Sequence, residues 1–550
     1  MATESMLGPL PLVLGVTGHR DLREGDRARL FEVVAQILAG YRKRLPHTPI
    51  VLLSPLADGA DRLVARAALH AGAKLVAALP MDAEKFKATL TDSGAGEDFD
   101  DLLARATTRF VVPPLNAELD WSTAAPELLY SNCGAYVASR CTELIALWDG
   151  QDQAGDAGTA QDVRFMLEGV GEPLVPTGYD LDPRLTGPVV RVVTPRMSNP
   201  IPVGAPFSVE RLFPHFSDKE LDFSGEYDRV LTHIEAYNVD VLEIGGGVAA
   251  AGAQMQSLQS LTEQISRKYQ RRTYAMILGM LAMVFAAVVS FNLYTGGMAT
   301  SLSMVAAYIT ILIATFALYR FSQKRAWQDR YQDYRSLAEA MRVSTFWTRA
   351  GITASVAEEV ERMQRGEIDW LPIAIRALIE PWCRTARNAD VAVLDSIFKD
   401  WVADQAAWYA GRVAQKKRYS TYTRMAATVL FIFGGAATLV VALWPVMQRD
   451  EHLKHYILFA SGLLAGLSGI ASYYADKRGW TEEVQEYDRV GALFARARKK
   501  MAGLLAAPLL SPETSARIQV MLYDLGREAL RENINWRNMH RQRPIKLPHA

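Results

Sequence analysis

Cysteine is scarce in this chain of 550 residues, and its three cysteines, Cys133, Cys141 and Cys383, match no metal-ligand spacing. We therefore expect neither a disulfide framework nor a metal site, as suits a reducing compartment. Net charge is also absent, because 60 Lys and Arg balance 60 Asp and Glu. We expect no nucleic-acid partner.

A secretory signal is missing as well. The first 13 residues lack a basic start and run directly into a strand-like segment. We therefore expect the N-terminal part of the chain to remain in the cytoplasm.

Charged side chains are missing from a run of 47 residues, 273–319, which contains no Lys, Arg, Asp, Glu or His. A turn at 292–300 divides this run, and the polar segment 449–454 divides a second apolar region. Because a bilayer core of about 30 Å needs roughly 20 helical residues, the sequence predicts four spans. They lie at about 273–292, 302–319, 425–447 and 455–475.

Lys and Arg cluster before the first and third spans and after the second and fourth. This bias, diluted by Arg449 and Lys454, predicts a multi-pass membrane protein with both termini in the cytoplasm. No ionisable side chain lies in the middle of a predicted span, so neither a proton relay, a voltage sensor nor a site for a charged substrate is expected. Conduction would require several chains to assemble, and we expect a homo-oligomer.

The membrane half repeats at about 150 residues. The segment 324–327 (KRAW) aligns with 477–480 (KRGW), and Lys268-Tyr269 aligns with Arg418-Tyr419. Duplication of a two-span unit explains this spacing. The alternative is that basic and aromatic residues gather at every membrane interface. The spacing of Gly462 and Gly466 also suits a close contact between helices.

These patterns predict six segments. They are a nucleotide-binding domain at 1–200, a linker or domain completion at 201–260, a first hairpin with its cytoplasmic helix at 261–350, a helical connector at 351–415, a second hairpin with its helix at 416–505, and a C-terminal helix with a basic tail at 506–550.

Apolar strands alternate with helices through the first 200 residues. Segments 10–16, 50–53, 74–79, 143–147 and 189–194 have the pattern of buried strands. This alternation predicts an α/β fold with a doubly wound parallel sheet, followed by an all-α membrane domain. Glycine-bearing turns follow the first and fourth strands, where helix N-termini offer N–H groups to phosphate.

Three motifs in this order carry a resemblance. GVTGHR at 15–20, ADGAD at 57–61, and ALWDG with GDAGTA at 146–160 resemble the SLOG superfamily of Rossmann-like nucleotide-binding domains, which includes the LOG hydrolases. A SLOG domain joined to paired spans is similar to the SLATT class of bacterial conflict effectors, in which a sensed nucleotide gates a membrane module. This resemblance implies that the spans lie in the bacterial inner membrane. The doubled membrane part departs from the single-hairpin pattern.

The resemblance implies a nucleotide-derived ligand and no other cofactor. Glycine backbone and Thr159 would approach phosphate, Arg20 would add a charged contact, and Asp61 and Asp149 would bind ribose hydroxyls. Helix capping by Asp61 and a structural role for His19 in its turn are the alternatives. The predicted nucleotide-binding residues are Gly15, Thr17, Gly18, His19, Arg20, Asp58, Gly59, Asp61, Asp149, Gly155, Gly158 and Thr159.

The LOG hydrolases, which this region resembles, carry the pattern GGxGTxxE. The Glu of that pattern assists cleavage of an N-glycosidic bond. Here Asp156 replaces the second glycine and Asp162 replaces the Glu. A carboxylate about 1 Å short would cost about 10²-fold in rate. We therefore interpret the region as a binding site before an active site, with Asp162 the candidate catalytic residue.

Three functions follow as hypotheses. The first is a membrane sensor and effector, of an anti-phage or conflict system, in which a nucleotide messenger gates or assembles a pore. The second is a membrane-anchored phosphoribohydrolase acting on nucleoside monophosphates. The third is a scaffold in which neither half acts alone.

Overall fold

The computed structural model describes residues 9–91, 95–151, 158–175, 186–214, 223–245, 255–295, 302–363, 369–380, 382, 389–444, 450–506 and 511–542. The chain divides into two compact units. The α/β unit comprises Met1–Leu261 and Thr353–Ala386, and the helical unit comprises Thr262–Ile352 and Arg387–Ala550.

A seven-stranded sheet forms the centre of the α/β unit. Its strands are β1 (Leu12–Gly18), β2 (Ile50–Ser54), β3 (Lys74–Leu79), β4 (Thr108–Val111), β5 (Glu143–Trp148), β6 (Val189–Val193) and β7 (Val209–Leu212). Their order in the sheet is β4-β3-β2-β1-β5-β6-β7, and all neighbours are parallel except β6 and β7. The predicted doubly wound α/β fold is confirmed.

Helices alternate with these strands along the chain. They are α1 (Arg27–Arg44), α2 (Ala60–His70), α3 (Ala83–Lys87), α4 (Ala95–Arg105), α5 (Pro126–Arg140), α6 (Thr159–Glu168) and α7 (Phe223–Gly245). Strands β2 and β6 are buried along their whole length, as expected where helices cover both faces of a parallel sheet.

Two later helices also belong to the α/β unit: α11 (Val356–Met363) and α12 (Trp370–Ile379). Ala377 and Trp382 pack against the sheet core, and the Trp370 ring stacks on His233 with centroids 6.0 Å apart. The sequence predicts a helical connector at 351–415 for these residues. The α/β unit is therefore built from two separate parts of the chain.

The helical unit contains the apolar segments. Its helices are α8 (Met255–Thr295, from Thr262 onward), α9 (Leu302–Arg325), α10 (Trp327–Arg349), α13 (Val391–Ile397), α14 (Asp404–Leu443), α15 (Glu451–Arg478), α16 (Trp480–Leu505) and α17 (Pro512–Arg541), with a π-helical segment at Phe398–Ala403. Four of these helical stretches are long and apolar enough to cross a membrane, as expected for a multi-pass membrane protein. They contain α8, α9, α14 and α15.

Proline fixes the end of α14. The helix stops at Leu443, and Trp444 has extended backbone angles (φ −103°, ψ 104°). A residue before proline avoids the helical region because the proline ring clashes with it, and Pro445 follows. The predicted span to about residue 447 is thus helical only to Leu443 within the described residues.

Local geometry repeats between the two hairpins. Ala326 (φ 48°) and Gly479 (φ 58°) both adopt the left-handed conformation between a span and the helix that follows it. Phe321 meets Trp327 edge to face with centroids 5.7 Å apart, and Tyr474 meets Trp480 in the same way at 5.8 Å. A general preference for aromatic residues at interfaces does not explain this match, which supports duplication.

Candidate functional site

A cavity of about 440 Å³ opens at the carboxyl edge of the sheet. It lies where β1 and β5 end and α6 begins, next to the reversal of strand order between β1 and β5. Ligands of open α/β sheets bind at such switch points. Its lining includes seven predicted site residues: Thr17, Gly18, His19, Arg20, Asp61, Gly158 and Thr159.

Close packing explains the glycine at the end of β1. A Cβ atom on Gly18 would collide with the Cβ of Ala60 and lie 2.9 Å from the Leu147 carbonyl oxygen. Glycine thus lets α2 start directly against β1. The backbone N–H of Ala60 donates to the His19 carbonyl at 3.1 Å, which fixes the turn that borders the cavity.

The N-terminus of α6 points N–H groups into this region. Gly158 precedes the helix with φ +151°, a conformation that side chains disfavour, and among the described residues a Cβ there would meet no atom within 4 Å beyond its chain neighbours. The first N–H groups of a helix have no acceptor within it and carry partial positive charge. The open approach to Gly158 and Thr159 suits a phosphate or another anion.

Two carboxyl groups face the same cavity. Burial raises the pKa of Asp61 to about 8, opposed by the N–H of Ala57 and reinforced by the charge of Asp162. Burial raises the pKa of Asp162 to about 7, although the Thr17 hydroxyl donates to it at 2.6 Å. At neutral pH the carboxyl of Asp61 is therefore mostly protonated and that of Asp162 partly protonated. Asp61 does not cap α2, because its carboxylate accepts a hydrogen bond from the N–H of Ala57, which precedes the helix.

Asp149 is engaged by the protein. Its side chain is fully buried and accepts hydrogen bonds from Arg196 Nε at 2.9 Å, Asn199 Nδ2 at 2.8 Å and the Gln151 N–H at 3.1 Å. Burial opposes ionisation, but these bonds and the neighbouring charges lower the pKa of Asp149 overall. No oxygen of this carboxylate lines the cavity, so it positions the β5 turn.

His19 joins this group. Its Nε2 accepts the N–H of Asp149 at 3.1 Å, and burial lowers its pKa despite the nearby Asp149 carboxylate. The ring is therefore neutral at pH 7 and links the β1 and β5 turns. This arrangement agrees with the structural alternative for His19, although the residue also borders the cavity.

Four other predicted residues lie away from the cavity or outside the described part. Gly15 packs against α5, where a Cβ would lie 2.8 Å from Cys141 Sγ. Asp58 pairs with Arg62 and accepts the Thr91 N–H at 2.9 Å. Gly59 (φ +70°) shapes the turn beneath Arg20. Gly155, like Asp156, lies outside the described residues. All site assignments remain predictions.

Helix α5 forms one side of the cavity, and none of its residues is among the predicted site residues. Tyr130, Cys133 and Gly134 of this helix line the cavity, and the Arg20 guanidinium lies 5.0 Å from the Tyr130 ring centroid. Trp148 adds aromatic surface, whereas the Phe86 ring is buried. A nucleobase stacks on exposed rings. Trp148 belongs to the ALWDG motif, but no motif marks Tyr130, Cys133 or Gly134, which only the fold brings to the cavity.

The opposite end of α5 binds the returning segment of the chain. The Tyr136 hydroxyl donates to the Trp382 carbonyl, and Arg140 Nη1 lies 3.1 Å from the Glu380 carboxylate. The same carboxylate accepts the Ser355 hydroxyl at 2.6 Å and the Ala357 N–H at 3.0 Å. Glu380 thus ties the start of α11 to the helix that lines the cavity.

Replacing Glu380 by alanine should loosen α11 and α12 from the α/β unit. The side chain is 1% exposed, and breaking a buried ion pair costs about 3–5 kcal/mol because a charge is left unpaired. Hydrogen exchange should rise across Val356–Met363 and Trp370–Ile379. Glu358→Ala, an exposed neighbour, is the control, and equal exchange in both variants would contradict the assignment.

Comparisons with known proteins identify part of the helical unit. Residues 256–351 match a family described as "Protein of unknown function (DUF4231)". The match spans α8, α9 and α10. A protein named siroheme synthase 1, from Aeromonas salmonicida (strain A449), is 29% identical over 175 residues, which are 29% of this chain and 36% of that protein. The chain thus covers about a third of the length of this relative.

Proposed function

We propose that this protein is a membrane sensor and effector. A nucleotide-derived ligand binds the α/β unit, and binding gates or assembles a pore formed by the spans. The observation that carries the proposal is one chain that joins a helix N-terminus opening into a switch-point cavity with four membrane-capable helices. The SLOG-like motifs and the SLATT-like paired spans support the same function, in defence against phage or a related conflict.

The ligand that suits the cavity has an anionic group and an aromatic base. The N-terminus of α6 and Arg20 would bind phosphate, while Tyr130 and Trp148 would contact the base. The two carboxyls limit the charge that the site tolerates, since an ionised Asp162 repels phosphate. A phosphodiester, with one charge per phosphate, therefore suits the site better than a dianionic monoester.

Topology follows from charge. We propose that the spans lie in the bacterial cytoplasmic membrane with both chain termini in the cytoplasm, because basic residues flank them on that side. The α/β unit then samples cytoplasmic nucleotides. Ligand binding would be transmitted along α5, because Tyr130 of this helix lines the cavity and Arg140 at its other end pairs with Glu380.

Leakage from vesicles tests this function. Full-length protein in sealed vesicles should release a small dye when one of a panel of AMP, GMP, ADP-ribose, cyclic di-AMP and cyclic di-GMP is added. Arg20→Ala should raise the required concentration roughly 10- to 100-fold, because it removes a charge-assisted contact of about 1.5–3 kcal/mol. Arg29→Ala, an exposed arginine outside the cavity, should respond like the unmodified chain.

Vesicles that remain sealed across this panel, while a nucleotide still raises the melting temperature of the protein, would overturn the gating role. An equal response of the Arg20 and Arg29 variants would instead move the ligand away from this cavity.

A second function, N-glycosidic hydrolysis, is favoured by the two carboxyls of raised pKa. Paired carboxyls with shifted pKa values are typical of acid–base sites. In this case the full-length protein would convert AMP and water into adenine and ribose 5-phosphate, and Asp162→Asn would abolish release of the base. Absence of free adenine from the unmodified protein would exclude this activity for AMP.

A further inference from the structure

Helix α15 covers one face of α8 within the helical unit. Met276, Ile277, Met280 and Leu281 of α8 are buried, and Ile470, Tyr473 and Tyr474 of α15 pack against their cluster. At one end of this contact, Arg478 lies 3.9 Å from the Tyr274 ring centroid. Deeper along the spans, a Cβ on Gly462 would lie 2.9 Å from Asn292 Oδ1 and one on Gly466 3.4 Å from Val288.

This contact joins the first span of one repeat to the second span of the other. The duplication therefore implies an equivalent contact, between α14 and α9. By the alignment of Tyr269 with Tyr419, Ile277 corresponds to Ala427 and Leu281 to Phe431. Leu281 is 8% exposed, whereas Phe431 is 67% exposed.

A groove occupies the place where the equivalent contact would form. It measures about 630 Å³ and runs between α14, α15 and the start of α16. Phe431 and Ala427 give it an apolar floor, and Asp476 and Glu482 stand at its end beside Arg424. The matching face of the first repeat is the one that α15 fills.

Helix α9 carries the face that would fill this groove. Phe321 corresponds to Tyr474, since each meets the tryptophan six residues later edge to face. Arg325 corresponds to Arg478, and each lies over that aromatic ring, at 5.3 and 5.9 Å. Yet Phe321 is 46% exposed, and Arg320 and Arg325 are exposed beside it.

We propose that α9 of one copy docks into the α14–α15–α16 groove of a second copy of this chain. The contact repeats the intramolecular packing of α15 on α8. Because its two surfaces differ, each copy offers one of each, and the assembly grows head to tail until it closes as a ring. This assembly goes beyond the proposed function and does not depend on a nucleotide.

Charge complements shape at this contact. Arg320 and Arg325 of α9 bring positive charge to a groove that ends in Asp476 and Glu482. Arg478 stacks on Tyr274 of the first repeat. The position equivalent to Tyr274 in the second repeat is Arg424, so the incoming Arg325 would pair with the carboxylates of the groove and not with a ring. Both surfaces lie where the second span of a hairpin meets its following helix, so their depths in a membrane match.

Cysteine cross-linking of the full-length protein in membranes tests the contact. The double variant Phe321→Cys with Phe431→Cys, treated with a bifunctional maleimide, should give a ladder of dimers, trimers and higher species that ends at the ring size. The control, Phe321→Cys with Phe433→Cys, moves the second cysteine to a residue on α14 that is 64% exposed and lies outside the groove.

A ladder of equal strength in both variants, or a dimer alone, would overturn the proposal. A second contrary result is a protein that is monomeric in nanodiscs and copurifies with anionic phospholipid, while its Arg424→Ser variant does not. The groove would then bind lipid headgroups instead of a second copy of the chain. A charge test uses the same cross-link: in the Phe321→Cys with Phe431→Cys variant, adding Arg325→Glu should weaken the ladder at least tenfold, and adding Glu482→Arg on the same chain should restore it.

Discussion

Replacing Gly134 by alanine should abolish ligand stabilisation of the α/β unit. A Cβ on this residue would collide with the Asp162 carboxylate, whose own position is fixed by the Thr17 hydroxyl. Either the carboxylate moves into the cavity or α5 moves away from α6. Overpacking of this kind costs about 1–3 kcal/mol and changes the shape of the cavity. Melting of the full-length protein with and without the active nucleotide measures both effects.

Gly40→Ala is the matched control, since it adds the same methyl group to the exposed side of α1, where nothing lies within 4 Å. This variant should be slightly more stable than the unmodified chain, because alanine favours a helix over glycine by about 1 kcal/mol. A Gly134 variant that binds the nucleotide normally would show that the ligand does not reach the α5–α6 side of the cavity.

Asparagine at position 61 should stabilise the α/β unit in alkaline solution. The pKa of Asp61 is about 8 in the folded protein and near 4 in an unfolded chain. Because the pKa of Asp61 is raised in the folded protein, the contribution of this group to the free energy of unfolding is fully present below about pH 4. That contribution is lost as the pH rises toward 8. At 1.36 kcal/mol per unit, the loss reaches at most about 5 kcal/mol, and Asp61→Asn avoids it.

Hydrogen exchange of Leu12–Gly18 and Ile50–Ser54 localises this effect better than melting, because the chain has two units. Exchange in Asp61→Asn should be slower than in the unmodified protein at pH 8.5, after correction for intrinsic rates, and similar at pH 4.5. Asp101→Asn alters an exposed carboxyl on α4 and should not share the gain. An equal gain at both pH values would mean that the buried carboxyl is not the cause.

Periodicity and apolar runs predicted the sheet and the spans because both depend on local pattern. Strands β4 and β7 escaped prediction, as each is only four residues long and only partly buried at the sheet edge. An edge strand needs no continuous apolar run, so its sequence resembles that of a loop. For the same reason the antiparallel pairing of β6 with β7 was not predicted.

The candidate site was predictable only where motif and turn coincide. Gly18, Arg20 and Gly158 follow strands or precede a helix, and those positions converge at one sheet edge in any doubly wound fold. Tyr130 and Gly134 lie within a helix whose sequence has no such mark. The sequence predicts Asp149 as a ligand contact, because motif spacing does not reveal that Arg196 and Asn199 donate hydrogen bonds to its carboxylate.

The division of the α/β unit along the chain has a practical consequence. The chain passes between the units three times, after Leu261, after Ile352 and after Ala386. A single cut before the first span would release a fragment without α11 and α12, exposing the apolar surface that Ala377 and Trp382 cover. A soluble form of the α/β unit would need residues 353–386 rejoined to the first 261 by a short linker. Because the α/β unit lies on both sides of the first hairpin in sequence, the two units are not joined simply end to end.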